Sequence, residues 1–121
     1  MKNPTRKRLK LARALIELNK SLVELRILRE RILRRISTNM IKERDPAVIL
    51  QEVDRYIVAM EILSERINRM MDLASLTELL EVSQELRTLQ KELRKVSSSA
   101  SINLLTAVEM IDDLINESKQ L

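Results

Sequence analysis

The 121-residue chain contains no glycine, cysteine, histidine, phenylalanine or tryptophan, and only two prolines and one tyrosine. Without glycine there are no cheap positive backbone angles, so tight hairpin turns and the glycine-rich loops that cradle phosphates have no scaffold. Without cysteine and histidine there is no disulfide, thiolate nucleophile, imidazole base or zinc ligand set, so no metal site, cofactor or catalytic residue is expected and the chain reads as a non-enzyme. With Tyr56 the sole aromatic, burial must rest on leucine, isoleucine, valine and methionine packed along helical seams, which favours elongated helices over a compact globule. No run of some twenty apolar residues exists and no signal peptide opens the chain, so the expected location is the cytoplasm.

What is present is helical periodicity and a split of charge. Residues 1–44 hold 14 Lys and Arg against 4 Glu, a local charge of +10, whereas residues 45–121 hold 8 against 14 acids, or −6. The basic part suits a polyanion, an acidic membrane or the acidic part of another copy. The fold class expected is all-α: one domain over 1–121, in which a long antiparallel helical hairpin is followed by a third helix, collinear or bent back, and a short acidic fourth helix.

Met1 to Thr5 reads as an extended leader before helix 1, expected over about 6–40. Its seam of Leu11, Leu15, Leu18, Leu22, Leu25, Ile32 and Ile36 is heptad-spaced, which puts Arg6, Arg13, Lys20 and Arg34 on the opposite side. Leu9, Ile16 and Val23 stand in register beside those cations, where a two-helix hairpin leaves them in water. The polar stretch 37–44 is short enough to reverse the chain. Asp45 and Pro46 then stand where an N-cap and first helical residue belong, opening helix 2 at about 46–74 on a seam of Ile49, Val53, Tyr56, Met60, Leu63, Ile67, Met70 and Ala74.

The heptad phase slips at Ser75, Leu76 and Thr77, a stutter that allows either a continuous rod or a bend. A second seam, Leu79, Val82, Leu86, Leu89, Leu93 and Val96, gives helix 3 at about 76–96. Ser97, Ser98, Ser99, Ala100 and Ser101 form a serine-rich linker, because serine offers the backbone alternative hydrogen bonds. Ser75, Leu76, Thr77, Ser97, Ser98 and Ser99 are thus the hinge candidates. Helix 4, at about 102–118, carries Leu104, Val108, Ile111 and Ile115 on one stripe, widened by Leu105 and Leu114. At that length it must dock to be stable.

Helix 1 covers only part of a continuous rod from Pro46 to Val96, so one hairpin leaves apolar seam over. Six leucine-sized positions, at about 1.5 to 3 kcal/mol each, are a large driving force for association. Leu9, Ile16, Val23, Leu79, Val82, Leu86, Leu89, Leu93, Leu104, Val108, Ile111 and Ile115 are therefore the self-assembly candidates. The alternative is a closed monomeric four-helix arrangement. The cations Lys2, Arg6, Lys7, Arg8, Lys10, Arg13 and Lys20, continued by Arg31, Arg34 and Arg35, are the membrane-binding candidates, each contributing about 1 kcal/mol near anionic lipid. No recognition helix or set of stacking aromatics points to specific nucleic acid. The acids Asp54, Glu61, Glu65, Asp72, Glu78, Glu81 and Glu85 read as solvated charge, and Met60, Met70 and Met71 as adaptable packing.

The order of these parts resembles the ESCRT-III core, most of all its archaeal cell-division branch, CdvB. Asp45-Pro46-Ala47-Val48 through Met71 is similar to the second helix of that family, Leu76 to Val96 to the third, and the run from Ile111 to Ser118 to the acidic fourth. The resemblance implies a subunit of a membrane-remodelling filament, self-assembling with copies of itself or paralogous subunits on the acidic inner face of the cell membrane in division or scission. It also implies that helices 2 and 3 fuse in the polymer and bend apart in a closed state. Relatives recruit an AAA-type ATPase through a C-terminal tail that nothing after Ser118 resembles, and Met1 to Thr5 is short for their N-terminal amphipathic segment, so a tail lost here or partner subunits are expected to supply these roles. The competing expectation is a coiled-coil adaptor or a nucleic-acid-associated helical dimer.

Overall fold

The computed structural model describes residues 3–37, 46–71 and 74–119, with side chains described from Arg6 onward in the first stretch. Among them are four helices and no strand: α1 (Asn3–Ser37), α2 (Pro46–Arg69), α3 (Leu76–Leu93) and α4 (Ser98–Lys119). The Asp45 cap, Asp72, Lys2 and the last turn expected for helix 1 lie outside the described residues. The fold is all-α.

Side-chain pairs between helices define the arrangement. Arg29 meets Asp54 and Arg26 meets Glu61 between α1 and α2, while Lys10 meets Glu117 and Ser21 meets the Ala100 carbonyl between α1 and α4. Arg66 reaches Glu81 between α2 and α3, and Ser83 reaches Asp112 between α3 and α4. In every pair the numbering runs in opposite directions, so neighbours are antiparallel and the chain is an up-down-up-down four-helix bundle. α1 lies diagonally from α3, and α2 from α4.

The seams meet in one core. Leu11, Leu18, Leu25, Val53, Met60, Ile67, Leu79, Val82, Leu86, Leu93, Leu104 and Ile111 are almost wholly sealed from solvent. This overturns the expectation of an elongated molecule with seam to spare. Leu79, Val82, Leu86, Leu89, Leu93, Leu104, Val108, Ile111 and Ile115, offered as self-assembly residues, are all buried within a single chain, so in this form they present no surface to a second copy. The closed alternative is the one observed. The core fills with Tyr56 as its one aromatic because four rows of aliphatic side chains converge, where a two-helix hairpin offers only two.

The bend between α2 and α3 has a local cause. Met70 and Met71 form a turn after α2, and Ser75 sits in extended backbone (φ −85°, ψ 163°) as the N-cap of α3. Its hydroxyl accepts from the Glu78 N–H at 3.2 Å, and the Glu78 carboxylate accepts from the Ser75 N–H at 3.2 Å. This reciprocal capping box satisfies two amides that a continuous rod would have satisfied along its axis. Ser75 is therefore a cap, with Leu76 and Thr77 in the first turn of α3. The helix runs only to Leu93, followed by a turn over 94–96.

Three further boundaries differ from expectation. α1 already includes Asn3 to Thr5, in place of the extended leader expected there, since a proline in a first turn lacks only an N–H that has no intrahelical partner. α2 stops at Arg69, short of Ala74. The serine stretch is not a linker: Ser97 caps α4 by accepting from the Ala100 N–H at 3.2 Å, while Ser98 and Ser99 are helical. Ala100 and Ser101 are buried. Small side chains also explain why α1 and α4 share the most extensive contact of the bundle. Ala14 and Ser21 on α1, and Ala100 and Ala107 on α4, are all buried and stand seven residues apart on each helix, letting the two backbones approach closely. Leu105, expected to widen the buried stripe of helix 4, points outward instead.

Candidate functional site

The surface left over by this bundle has two distinctive parts. The first is the outer face of α1. One edge of α1 is held against α2 by Asn19, Arg26 and Arg29, which bond Ser64, Glu61 and Asp54. The other is held against α4 by Lys10, Ser21 and Glu24, the last accepting from Ser99 at 3.2 Å. Between these edges Leu9, Ile16 and Val23 face water at 52%, 55% and 50% exposure, joined by Ile27. At the helical rise this apolar line is about 27 Å long. Arg6, Arg13, Lys20 and Arg31 flank it, all exposed.

The expected membrane cations therefore divide. Arg6, Arg8, Arg13 and Lys20 stand on the surface. Lys7 and Lys10 do not: the Lys7 ammonium donates to the Ala74 carbonyl, tying α1 to the α2–α3 connection, and Lys10 bonds Glu117 at 2.5 Å. That hydrogen bond, helped by the charges of Lys10 and Arg6, holds the Glu117 carboxyl below its ordinary pKa against a smaller opposing effect of desolvation. These two lysines close the bundle rather than face a lipid. Lys20 also has an exposed local partner in Glu17 at 3.0 Å.

α1 also outruns its neighbours. α4 begins beside Glu24, so roughly three and a half further turns of α1 pair with α2 alone. In that end Ile32 is buried, but Leu28, Ile36, Ile49 and Leu50 are only half covered, and Val48 is exposed. Arg26, Arg29, Arg31, Arg34 and Arg35 lie on this part of α1 against one acid, Glu30.

The second part is the seam between α2 and α3, the least extensive contact of the four. An open trough of about 620 Å³ runs along it, lined by Ala59, Ile62, Leu63, Glu81, Gln84, Glu85 and Thr88. At its lip Arg66 alone serves both Glu81, at 2.5 Å, and Glu85, at 3.2 Å. Tyr56 lies toward the far end, its hydroxyl 3.4 Å from Glu92, and burial first, then the charges of Glu52 and Glu92, push its phenol above the usual value.

Sequence reasoning found Leu9, Ile16 and Val23 by their register but missed Ile27, which falls on the cationic stripe itself, and missed the trough. The trough had a legible trace: Ala59 and Ile62 lie beside the α2 seam, where bulkier apolar residues on the facing side of α3 would have covered them.

The remaining acids serve helix edges. Asp54, Glu61 and Glu65 pair with Arg29, Arg26 and Arg69, and Glu78 serves the α3 cap. Met60 and Met70 are core and Met71 is half buried. Among the described residues no group of acids is placed to hold a metal ion, and no helix is long and apolar enough to cross a membrane. No protein-family model, curated protein or solved structure matches the chain.

Proposed function

We propose that this chain is a non-enzymatic subunit that holds to acidic membranes through the outer face of α1 and takes part in membrane remodelling with copies of itself, as its ESCRT-III-like order of parts implies. The observation that carries the reading is the exposed face of α1 on which four aliphatic side chains alternate with Arg6, Arg13, Lys20 and Arg31, of which Arg6 alone reaches a neighbouring helix, at Glu117 of α4. A helix of that kind lies in a lipid interface, with its aliphatics among the upper acyl chains and its long cationic side chains reaching the headgroups. At about 1 kcal/mol per cation near anionic lipid, four to six such residues give reversible, salt-sensitive attachment.

The bend at Ser75 supports the same reading, since the resemblance expects helices 2 and 3 to part in a closed subunit. Assembly through the α3 and α4 seams would require the bundle to open, so the membrane face, which needs no rearrangement, bears the proposal.

Sedimentation with vesicles of phosphatidylserine and phosphatidylcholine tests it, with electron microscopy of the pellets. The expected outcome is binding at low salt that is lost at high salt, absent on neutral vesicles, and accompanied by coated or deformed membranes. Failure to pellet with acidic vesicles at low salt overturns the reading, and steeply salt-dependent binding to duplex DNA in its place would favour the adaptor alternative.

A further inference from the structure

We infer that, off the membrane, the α2–α3 trough of one molecule receives the outer face of α1 from a second copy. The α1–α2 seam also carries grooves, but the Arg26–Glu61, Arg29–Asp54 and Asn19–Ser64 pairs bridge them, whereas the α2–α3 seam leaves Ala59, Ile62 and Leu63 as an apolar floor with Ile62 60% exposed. The matching feature is an apolar row of Leu9, Ile16 and Val23 that none of the described residues covers.

Charge selects this occupant over a generic apolar helix. On the lip, two carboxylates share the one guanidinium of Arg66, which leaves an excess of negative charge beside the floor. Along α3 the carboxylates Glu78, Glu85 and Glu92 recur every seven residues, and along α1 the cations Arg6, Arg13 and Lys20 recur every seven residues. Two helices of equal rise laid side by side bring such rows into step, as flanking charges do in coiled coils. Arg6 and Lys20 each hold one carboxylate of their own chain, the partly covered Glu117 and Glu17, and are themselves well exposed. An α1-to-α1 contact is opposed by like charge, and a trough-to-trough contact likewise.

Such an interface is heterologous: each copy offers one α1 face and one trough, so association continues from copy to copy instead of stopping at a symmetric dimer. The same α1 face serves the lipid in the function proposed above, so acidic vesicles and a second copy compete for it. The inference does not need the membrane reading, and the experiment separates the two.

Two variants confined to exposed positions make the test: Arg13→Glu with Ile16→Asp on α1, and Ile62→Arg with Gln84→Arg in the trough. Circular dichroism establishes that each keeps its helices, and sedimentation velocity at low salt reads the association. Wild-type chain is expected to grow in mass with concentration, while each variant alone associates at least about tenfold more weakly, equivalent to roughly 1.4 kcal/mol. An equimolar mixture is expected to form a 1:1 dimer and stop there, because it contains one intact face and one intact trough. The trough variant keeps its binding to acidic vesicles and the α1 variant loses it if the membrane reading also holds. A wild-type chain that stays monomeric, a mixture that forms no dimer, or association that survives both pairs of substitutions overturns the docking, whatever the vesicles show.

Discussion

The α1–α4 seam and the α2–α3 seam lie at opposite sides of one bundle and are built on opposite plans. Between α1 and α4 the facing residues are small: Ala14, Ser21, Ala100 and Ala107 are buried, and the Ser21 hydroxyl donates to the Ala100 carbonyl at 2.5 Å. Between α2 and α3 the facing residues are long and charged, with Arg66 spanning to Glu81 and Glu85 over an open trough. Small residues let backbones approach and leave nothing for a partner; charged residues hold helices apart and leave a groove. The tight seam makes the monomer, and the loose one is where another molecule has room.

The sharpest break of this comparison strikes the core that both seams share. Leu86→Asp with Leu93→Asp places two carboxylates at positions with no exposure, and we expect loss of most helicity by circular dichroism. Leu80→Asp on the outer side of the same helix is expected to leave the spectrum unchanged, because Leu80 is already 43% exposed.

Next in size is overpacking. Ala107→Leu in the tight seam is expected to destabilise by about 1 to 3 kcal/mol, whereas Ala59→Leu beside the trough is expected to be neutral or stabilising. Urea denaturation of the two variants measures the contrast directly, and equal losses would show that the seams do not differ in packing.

A smaller effect is expected from Ser75→Ala, which removes one half of the capping box at the start of α3. The estimate is about 1 kcal/mol, within the range for replacing a serine cap by alanine. Hydrogen exchange is expected to quicken at Glu78 and its neighbours while the α1–α4 seam stays protected.

The smallest effect concerns pH at the end of the α1–α4 seam. The Glu117 pKa is depressed in the folded chain, chiefly by the hydrogen bond from Lys10. Its contribution is therefore present above the ordinary carboxylate pKa and is lost as pH falls through the lower, folded value. Glu117→Gln is expected to flatten that part of the acid limb of a stability-against-pH curve, with a small loss of stability at neutral pH that vanishes in acid, small because the pair is only partly buried.

Legibility in the sequence followed the range of the interaction. The seams of α1, α2 and α3 could be read position by position, since heptad spacing is a property of one helix, and Pro46 does open α2 as its place in the sequence suggests. The Ser75 and Glu78 pair was written plainly as a serine followed three residues later by a glutamate, yet the phase slip was read as an ambiguity between rod and bend. The serine stretch misled for a related reason. Serine weakens an isolated helix, but Ser101 is buried here, bonded both to the Gln90 side chain and to its carbonyl, so tertiary partners satisfy the hydroxyl that composition alone counts against a helix.

The candidate site was half legible. Leu9, Ile16 and Val23 were marked by register, and they are indeed uncovered. The cations beside them could be listed but not sorted, because whether Lys7 faces a bilayer or the Ala74 carbonyl depends on where a segment 67 residues away comes to rest.

By itself the sequence determined that this chain is helical, that its charge is divided between its two parts, and which side of each helix is apolar. These follow from residue type and spacing, which act within a few turns. Only the tertiary structure decided that α3 and α4 fold back onto the hairpin, that the spare seams are covered from within, and that α2 and α3 stand apart over a trough. Those outcomes depend on how four apolar faces share one volume, and no single helix carries that information.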